Sequence, residues 1–361
     1  MWVSNVYIKG FRNLNLEAIE LSQNVNILHG KNAQGKTSFL EAVYFCSFGR
    51  SLRAFNDREL IHFDQTEAHI RLNINKGDYA TTLDAHIEKN GAKTKKGLAL
   101  NQVPIRHMKD LFGRLLVVMF SPEDLKLVKA GPYERRRFMD MEICQLSPVY
   151  YSDLKEYHRV LKQRNALLKI IQKDKSQLEC LCIWDNQLVG YGKRIMATRE
   201  KFINKISDIA REIHFKITEG KEELLLEYTP SVKNVENYAD VLLKNQTRDI
   251  IQTTTTAGIH KDDVEFTING TNVRNFGSQG QQRTVALSVK LAEIEIIKQS
   301  TNETPVLLLD DVLSELDSSR QHFLLEQITD IQTLITCTGL EDILLTMKDH
   351  RILQVSEGVI V

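Results

Sequence analysis

Residues 30–37 read Gly-Lys-Asn-Ala-Gln-Gly-Lys-Thr, and they constrain the fold more than any other segment. They fit the pattern G-x-x-x-x-G-K-[ST] without a mismatch. A short apolar run precedes them at residues 25–28, and a helix is predicted from Lys36 to about Ser47. The glycines let backbone N–H groups turn inward around phosphates, where the helix N-terminus favours negative charge. A glycine-containing strand-to-helix turn that merely carries a lysine is the simpler alternative.

The phosphate loop predicts ATP and Mg²⁺ as cofactors. Lys36 is expected to reach the β- and γ-phosphates, and Thr37 to supply a hydroxyl to the metal. The nucleotide contacts expected from this segment are Gly30, Lys31, Asn32, Ala33, Gln34, Gly35, Lys36, Thr37 and the adjoining Ser38.

A second chemical signal is the apolar run at residues 306–309, which ends in Asp310 and Asp311. Open parallel sheets bind their ligands at the carboxyl ends of the strands. Asp310 would hold Mg²⁺ directly or through water, and Asp311 would orient the attacking water. With Lys36, these two residues form the predicted catalytic set. A strand that simply ends in an acidic turn is the alternative.

Residues 276–283 open another predicted helix, with Ser278 as a plausible N-cap and free amides that suit a phosphate. Taken alone, this segment is an ordinary helix cap. Its place in the chain is informative: the phosphate loop comes first, then Ser-Gln-Gly-Gln-Gln, then the acidic strand, then Ser-Glu-Leu-Asp at residues 314–317.

This order resembles ABC-type ATPases. In that family the signature segment of one subunit covers the γ-phosphate bound by another. The resemblance implies an ATP-dependent homodimer and a composite site, so that one subunit alone would hydrolyse ATP poorly. The residues it places in trans are Ser278, Gln279, Gly280, Gln281 and Gln282, with Ser314 and Asp317 in the D-loop along the dimer seam.

Further stretches, spread over the whole chain, are similar to the RecF family of bacterial recombination ATPases and not to ABC ATPases generally. They are Phe11-Arg12-Asn13, Gly49-Arg50-Ser51-Leu52-Arg53, Asp57-Arg58-Glu59-Leu60-Ile61, Phe120-Ser121-Pro122-Glu123-Asp124-Leu125, Arg135-Arg136-Arg137-Phe138-Met139-Asp140 and Gly258-Ile259-His260-Lys261-Asp262-Asp263.

The RecF resemblance implies an α/β fold, an ABC-type P-loop ATPase head of the SMC kind with an inserted antiparallel helical hairpin lobe. It adds Arg12 and Asn13 to the ATP contacts. It also implies a cytoplasmic, nucleoid-associated protein that binds double-stranded and gapped DNA during recombinational repair. The implied partners are RecR and RecO, which would help RecA to load.

The middle of the chain carries the predicted hairpin, at about residues 150–215. Apolar residues recur every seven positions from Leu181 to Ile209, which favours two antiparallel packed helices of roughly 20–35 residues. This stripe and a second one, from Leu154 to Ile171, are expected to be core, although either could dock a partner. The predicted division places residues 1–112 and 298–361 in one lobe and residues 113–297 in the other, because the strand before the phosphate loop and the last strands are expected to share a sheet.

Two positions depart from the wider ABC pattern. The residue after the Walker B aspartate is commonly glutamate, whereas here it is the shorter Asp311. The chain also has Thr336, Cys337 and Thr338 where a switch histidine is usual. We therefore expect slow hydrolysis, and the sequence assigns no sensor of the γ-phosphate.

Net charge is zero, so DNA contacts must come from a local patch. The candidates are Arg50, Arg53, Lys93, Lys95 and Lys96. Such a basic run could instead be a solvated face, and the arginines could neutralise ATP phosphates across the dimer. An aromatic stacking stripe is lacking, so binding is expected to be backbone-directed and sensitive to salt.

Several function classes fit less well. No apolar run approaches the roughly 18 residues of a membrane span, a secretion signal is not recognisable, and the five scattered cysteines indicate reduced thiols. The main alternative is the ATP-binding subunit of a membrane transporter. A small-molecule P-loop kinase and a scaffold that uses ATP only structurally are two others. His260 is expected to be a structural hydrogen-bonding residue.

Overall fold

The computed structural model describes residues 1–338 and 349–360, and the chain forms two compact units. The first comprises Met1–Asp124 with Glu293–Val361, and the second comprises Leu125–Ala292. The boundaries differ from the sequence expectation of 112/113 and 297/298. The strand Val117–Phe120 explains the first difference, because it pairs with the strand that carries Asp310 and so belongs to the first unit.

The first unit contains two sheets. Its strands are β1 (Trp2–Phe11), β2 (Leu14–Glu20), β3 (Val25–His29), β4 (Glu67–Lys76), β5 (Tyr79–Asn90), β6 (Lys93–Leu100), β7 (Val103–Pro104), β8 (Val117–Phe120), β12 (Val306–Asp310), β13 (Thr333–Cys337), β14 (His350–Ser356) and β15 (Val359–Ile360). Its helices include α1 (Lys36–Phe48) and α9 (Ser318–Gln327). A last strand was predicted over residues 359–361, and Val361 lies outside the described residues.

The nucleotide-binding motifs lie on one six-stranded sheet with the order β15-β14-β3-β13-β12-β8. Strands β3, β13, β12, β8 and β14 are parallel, and β15 alone runs antiparallel to its neighbour. Strands β12 and β13 are buried along their whole length, which explains their unbroken apolar runs. The prediction that the strand before the phosphate loop shares a sheet with the last strands is confirmed. Strand β13 lies between the strands that carry the two motifs.

The second sheet is antiparallel, with the order β2-β1-β4-β5-β6-β7. Lys76 pairs with Tyr79, so the β4–β5 turn contains only Gly77 and Asp78. Strand β4 alternates between buried and more exposed residues, because one face of this sheet covers apolar side chains of the unit.

The second unit is mainly helical. Its helices are α2 (Leu125–Lys129), α3 (Pro132–Leu146), α4 (Pro148–Lys173), α5 (Leu181–Ile217), α6 (Tyr238–Gln252) and α7 (Val273–Phe276), and α8 (Gln279–Thr301) begins in it. Its strands are β9 (Leu224–Thr229), β10 (Asp263–Ile268) and β11 (Thr271–Asn272). Helices α4 and α5 form the predicted antiparallel hairpin, and α5 is longer than expected at 37 residues.

The seven-residue stripe of α5 is only partly correct as a guide to its core. Leu181, Leu188 and Ile195 are fully buried, but Ile209 is half-buried and the core position passes to Ala210. A straight helix has 3.6 residues per turn, so a strict seven-residue repeat drifts around it. The hairpin core also contains Arg164, which is completely buried.

Within the described residues, no helix is long and apolar enough to span a bilayer. None of the five cysteines, all of which lie in the described residues, forms a disulfide, and Cys180 and Cys182 are exposed near the connection of the hairpin. Burial raises the pKa of the Cys46 thiol far above its ordinary value, so this thiol stays protonated.

Candidate nucleotide site

The phosphate loop connects β3 to α1, as its sequence predicts. Gly35 has a φ of 116° and immediately precedes the helix, and a Cβ there would lie 2.7 Å from Leu14 Cδ2. Glycine is therefore required at this position for both conformation and space. Lys36 is buried, and its ammonium donates to the carbonyls of Gly30 and Lys31, the latter at 3.0 Å. The Lys36 side chain thus folds back over its own loop, where the phosphates would bind.

The loop is also bonded to the turn between β14 and β15. The backbone N–H of Gly358 donates to Gln34 O at 3.0 Å, and that of Glu357 donates to Gln34 Oε1 at 2.6 Å. A Cβ at Gly358 would lie 1.9 Å from Asn13 O. The β14–β15 turn therefore packs tightly against the phosphate loop and against Asn13. The sequence did not predict this contact.

Asp310 is the centre of the polar cluster at the end of β12, and it is almost fully buried. Thr37 Oγ1 donates to its Oδ1 at 2.7 Å, and Thr336 Oγ1 donates to the same oxygen at 3.0 Å. The Arg53 guanidinium donates to Oδ2 at 2.7 Å. The phosphate loop and the acidic strand are thus brought together by the Thr37–Asp310 bond, as expected.

The donor set at this position fits Mg²⁺. A hydroxyl and a carboxylate are hard oxygen ligands, and Mg²⁺ is usually held by one or two such groups together with substrate phosphates. Larger clusters of His, Cys, Asp and Glu are not present in the part of the chain that the structure describes. Thr37 and Asp310 are therefore the residues that would hold the ion.

Asp311 lies at the end of the acidic strand, with its side chain exposed and a backbone φ of 54°. Its N–H donates to Thr336 Oγ1 at 2.9 Å, and its carbonyl accepts from Ser314 Oγ at 2.8 Å. Burial raises the pKa of the neighbouring Cys337 thiol to about 11, while the Lys36 charge opposes this shift. Thr336 therefore contacts both acidic residues.

Arg12 and Asn13 lie beside α1. Both Arg12 Nε and Nη2 donate to the Glu41 carboxylate, at 2.9 and 3.0 Å, and Nη1 donates to Glu59 O at 3.0 Å. Asn13 Oδ1 accepts from Ser38 Oγ at 3.1 Å. Arg12 is engaged by protein groups on all three nitrogens, so its contact with ATP remains a prediction.

Two of the five proposed DNA contacts have other roles in the structure. Arg53 is bonded to Asp310, as described above. The Lys96 ammonium donates to Gly49 O at 2.6 Å and pairs with Asp57 at 2.9 Å, so it stabilises the segment that follows α1. Arg50, Lys93 and Lys95 are exposed, and their contact with DNA remains a prediction.

The signature segment lies in the second unit, where α8 begins. Ser278 Oγ accepts from the N–H of Gln281 at 3.2 Å, and Gln281 Oε1 accepts from the N–H of Ser278 at 2.8 Å. This is a capping box. Ser278, Gln279 and Gly280 are exposed, whereas Gln282 is buried and donates to Val273 O.

The D-loop residues lie between β12 and α9. Asp317 caps α9 by accepting from the N–H of Arg320 at 3.0 Å. This backbone bond, together with the ion pair to Arg320, lowers the pKa of the Asp317 carboxyl. Ser314 is exposed and bonded to the backbone of Asp311. These contacts are local, so the role of both residues at a dimer seam remains a prediction.

His260 is a structural residue, as the sequence suggested. Its Nε2 donates to Thr255 O at 2.9 Å, because a carbonyl only accepts. Nδ1 of the neutral ring therefore accepts a hydrogen bond from the Tyr157 hydroxyl, also at 2.9 Å. Burial lowers the pKa of His260 to about 4.

The parallel sheet, the phosphate loop and the acidic strand together define an ABC-type P-loop ATPase head. A family model described as RecF/RecN/SMC N terminal domain matches residues 2–358. Two curated relatives are each a DNA replication and repair protein RecF. The one from Lachnospira eligens is 48% identical over 364 residues, and the one from Lachnoclostridium phytofermentans is 47% identical over 361. Both alignments cover 100% of this chain and 99% of the relative.

Solved structures give the same result. The recombination mediator protein RecF-ATPrS in the RecFOR pathway matches with a TM-score of 0.92 and 34% identity, covering 99% of this chain and 97% of that one. An SMC head domain from Pyrococcus furiosus, at 14% identity and a TM-score of 0.57, is similar in fold alone. The chain therefore belongs to the RecF family of DNA replication and repair proteins. The alternative of a transporter subunit is not supported.

Proposed function

We propose that this protein binds ATP with Mg²⁺ at residues 30–37. The observation that carries the proposal is the bond between Thr37 and Asp310, which places the two expected metal ligands in contact. Lys36 would leave the carbonyls of its own loop for the β- and γ-phosphates, and the α1 N-terminus would add favourable potential. The structurally similar RecF-ATP chain supports the same nucleotide.

Bound ATP would then bring two copies together, each signature segment closing the site of the other. The exposure of Ser278, Gln279 and Gly280 supports this step, because these residues are available to a second copy. The capping box supports it as well. It fixes the first turn of α8, so that its remaining amides can face a phosphate without further ordering.

Hydrolysis would be slow and would release the dimer. Asp311 is one methylene shorter than the usual glutamate, so its carboxylate would lie further from the attacking water. A slow step suits a timer that keeps two heads closed on DNA. We further propose that duplex DNA accelerates this step, since closure and DNA binding would favour the same state.

The DNA would be held through its phosphates, with Arg50, Lys93 and Lys95 as contacts. Such binding is insensitive to sequence and weakens steeply with salt. The relatives are named for DNA replication and repair, and the similar structures belong to a RecFOR pathway. We therefore place this chain in the cytoplasm, at the nucleoid. It would act at single-strand gaps with RecR and RecO and help RecA to load.

Light scattering with and without MgATP tests the closure directly. The wild-type protein is expected to double in mass with ATP, and Ser278→Arg is expected to remain monomeric because the larger cation blocks the phosphate receptor. Ser176→Arg is the matched control, since Ser176 is an exposed serine near the hairpin connection. A wild-type monomer at saturating ATP would refute the mechanism.

Turnover tests the catalytic assignment separately. Lys36→Arg is expected to keep part of the nucleotide affinity but to lose hydrolysis, because a guanidinium presents its charge differently from a compact ammonium. Gapped duplex DNA should raise the wild-type ATPase rate. A rate that is unchanged by DNA would contradict the proposed coupling while leaving nucleotide binding intact.

A further inference from the structure

Asp310 is surrounded by hydrogen-bond donors from three different parts of the first unit. Thr37 belongs to the first turn of α1, Thr336 to β13, and Arg53 to the segment between α1 and β4. The carboxylate itself is only 1% exposed. The three donors take three of the roughly four acceptor positions of the carboxylate, so a metal ion would bind Asp310 in competition with them.

Arg53 is the donor best able to move. Thr336 is buried within a strand that has neighbours on both sides, and the Thr37 hydroxyl is itself a ligand for the incoming ion. The Arg53 side chain, in contrast, is 44% exposed and belongs to a connecting segment. Its guanidinium supplies the one positive charge that contacts Asp310 among the residues described.

The position of Arg53 is nevertheless fixed by specific bonds. Ser51 Oγ accepts from the N–H groups of Arg53 and Ala54, at 2.9 and 2.8 Å, which closes a tight turn. The same hydroxyl donates to the Glu41 carboxylate, which is 5% exposed and also bound by Arg12. The buried Glu41 carboxylate in α1 therefore holds the turn that positions Arg53 beside Asp310.

We propose that Arg53 is a substitute cation for the metal site. Without nucleotide its guanidinium neutralises Asp310 and excludes a divalent ion. With nucleotide, the phosphates offer both a ligand set for the ion and a new partner for the guanidinium, so metal and nucleotide enter together. The inference rests on the proposed role of Asp310 as metal ligand. It gives Arg53 a role at the nucleotide, in place of the expected contact with DNA.

Binding of Mn²⁺ to the nucleotide-free protein, followed by the paramagnetic resonance signal of the free ion, tests this proposal. Wild-type protein is expected to bind Mn²⁺ weakly. Arg53→Met removes the charge and keeps much of the side-chain volume, so it is expected to bind about tenfold more tightly, which corresponds to about 1.4 kcal/mol. Arg53→Lys should stay close to the wild type, because it keeps the positive charge.

Two further variants locate the effect. In Arg53→Met/Asp310→Asn the gain should disappear, because the proposed ligand has lost its charge. Arg50→Met, on the same segment but exposed, should bind Mn²⁺ as the wild type does. Equal affinities for the wild type and Arg53→Met would overturn the proposal, as would a gain that persists without Asp310.

Ser51→Ala provides an independent route if Arg53→Met does not fold. It leaves Arg53 in place but removes the hydroxyl that closes its turn, so a gain in Mn²⁺ affinity of roughly threefold is expected. An unchanged Mn²⁺ affinity would count against the proposal. These measurements need neither dimerisation nor DNA. Failure of the proposed dimer would leave them unaffected, and their failure would leave the dimer mechanism standing.

Discussion

Thr336→Val is the substitution that tests the structure of the site most directly. Valine has nearly the shape of threonine, so the change removes a hydroxyl and little else. That hydroxyl donates to Asp310 Oδ1 at 3.0 Å and accepts from the N–H of Asp311 at 2.9 Å. Thr336 is 2% exposed, so water cannot readily replace either bond.

The expected cost follows from these two bonds. A hydrogen bond to a charged group contributes about 1.5–3 kcal/mol, and an unsatisfied buried N–H costs about 1–3 kcal/mol. The two losses share one hydroxyl, and part of the charge on Asp310 is still met by Thr37 and Arg53. We therefore expect the free energy of unfolding of the first unit to fall by about 2–4 kcal/mol.

Urea unfolding measures this loss, with Thr333→Val as the matched control. Thr333 is buried on the same strand, and its hydroxyl donates to a single neutral acceptor, Ile331 O, at 2.9 Å. The control should lose only about 1 kcal/mol. Equal losses in the two variants would refute the argument. Because Thr336 positions both acids, ATP turnover should also fall in Thr336→Val and remain near the wild-type rate in the control.

Three other outcomes are expected. Arg164→Met should destabilise the helical unit by about 3–5 kcal/mol in urea unfolding, because it leaves the buried Asp249 carboxylate with only the two Thr256 donors and without the Arg164 charge, and adding Asp249→Asn should recover part of the loss. The pKa of His260 is about 4 in the folded protein and near 6.5 in the unfolded chain, so the unfolded chain binds the proton more readily. The protein should therefore lose stability in thermal melts as pH falls from about 6.5 to 4. His260→Gln should lose less over the same range. Lys96→Met should lower the melting temperature, because Lys96 bonds to Gly49 O and pairs with Asp57. Lys93→Gln should lower only the affinity for DNA, measured in a salt titration. The reverse result would contradict the structure.

The sequence alone predicted the parts of the site that depend on local order. The phosphate loop needs glycines at fixed spacing before a helix, and the acidic strand needs an apolar run that ends in carboxylates. Both requirements can be read from consecutive residues. The contact between Thr37 and Asp310 then followed from the rule that parallel strands present their carboxyl ends at one edge.

Contacts between distant segments could not be predicted in this way. Arg53 and Asp310 are 257 positions apart in sequence, and a basic residue in an exposed segment predicts phosphate binding as readily as a carboxylate partner. In the sequence, Thr336 stood out only because it lies where ABC-type ATPases usually have a switch histidine. Its role depends on β13 lying between β3 and β12, and strand order cannot be read from a strand's own residues.

The charges of the site also indicate what a second copy would supply in the proposed dimer. MgATP remains a net anion, because one divalent ion does not neutralise all the phosphate charge. Lys36 and the released Arg53 provide cations from the same subunit, whereas residues 278–282 of the signature segment carry no charged side chain. Closure would therefore depend on hydroxyl and amide donors and on the partial charge of a helix N-terminus. The proposed DNA contacts are lysine and arginine, so moderate salt should dissociate the DNA well before it separates the proposed ATP-bound dimer.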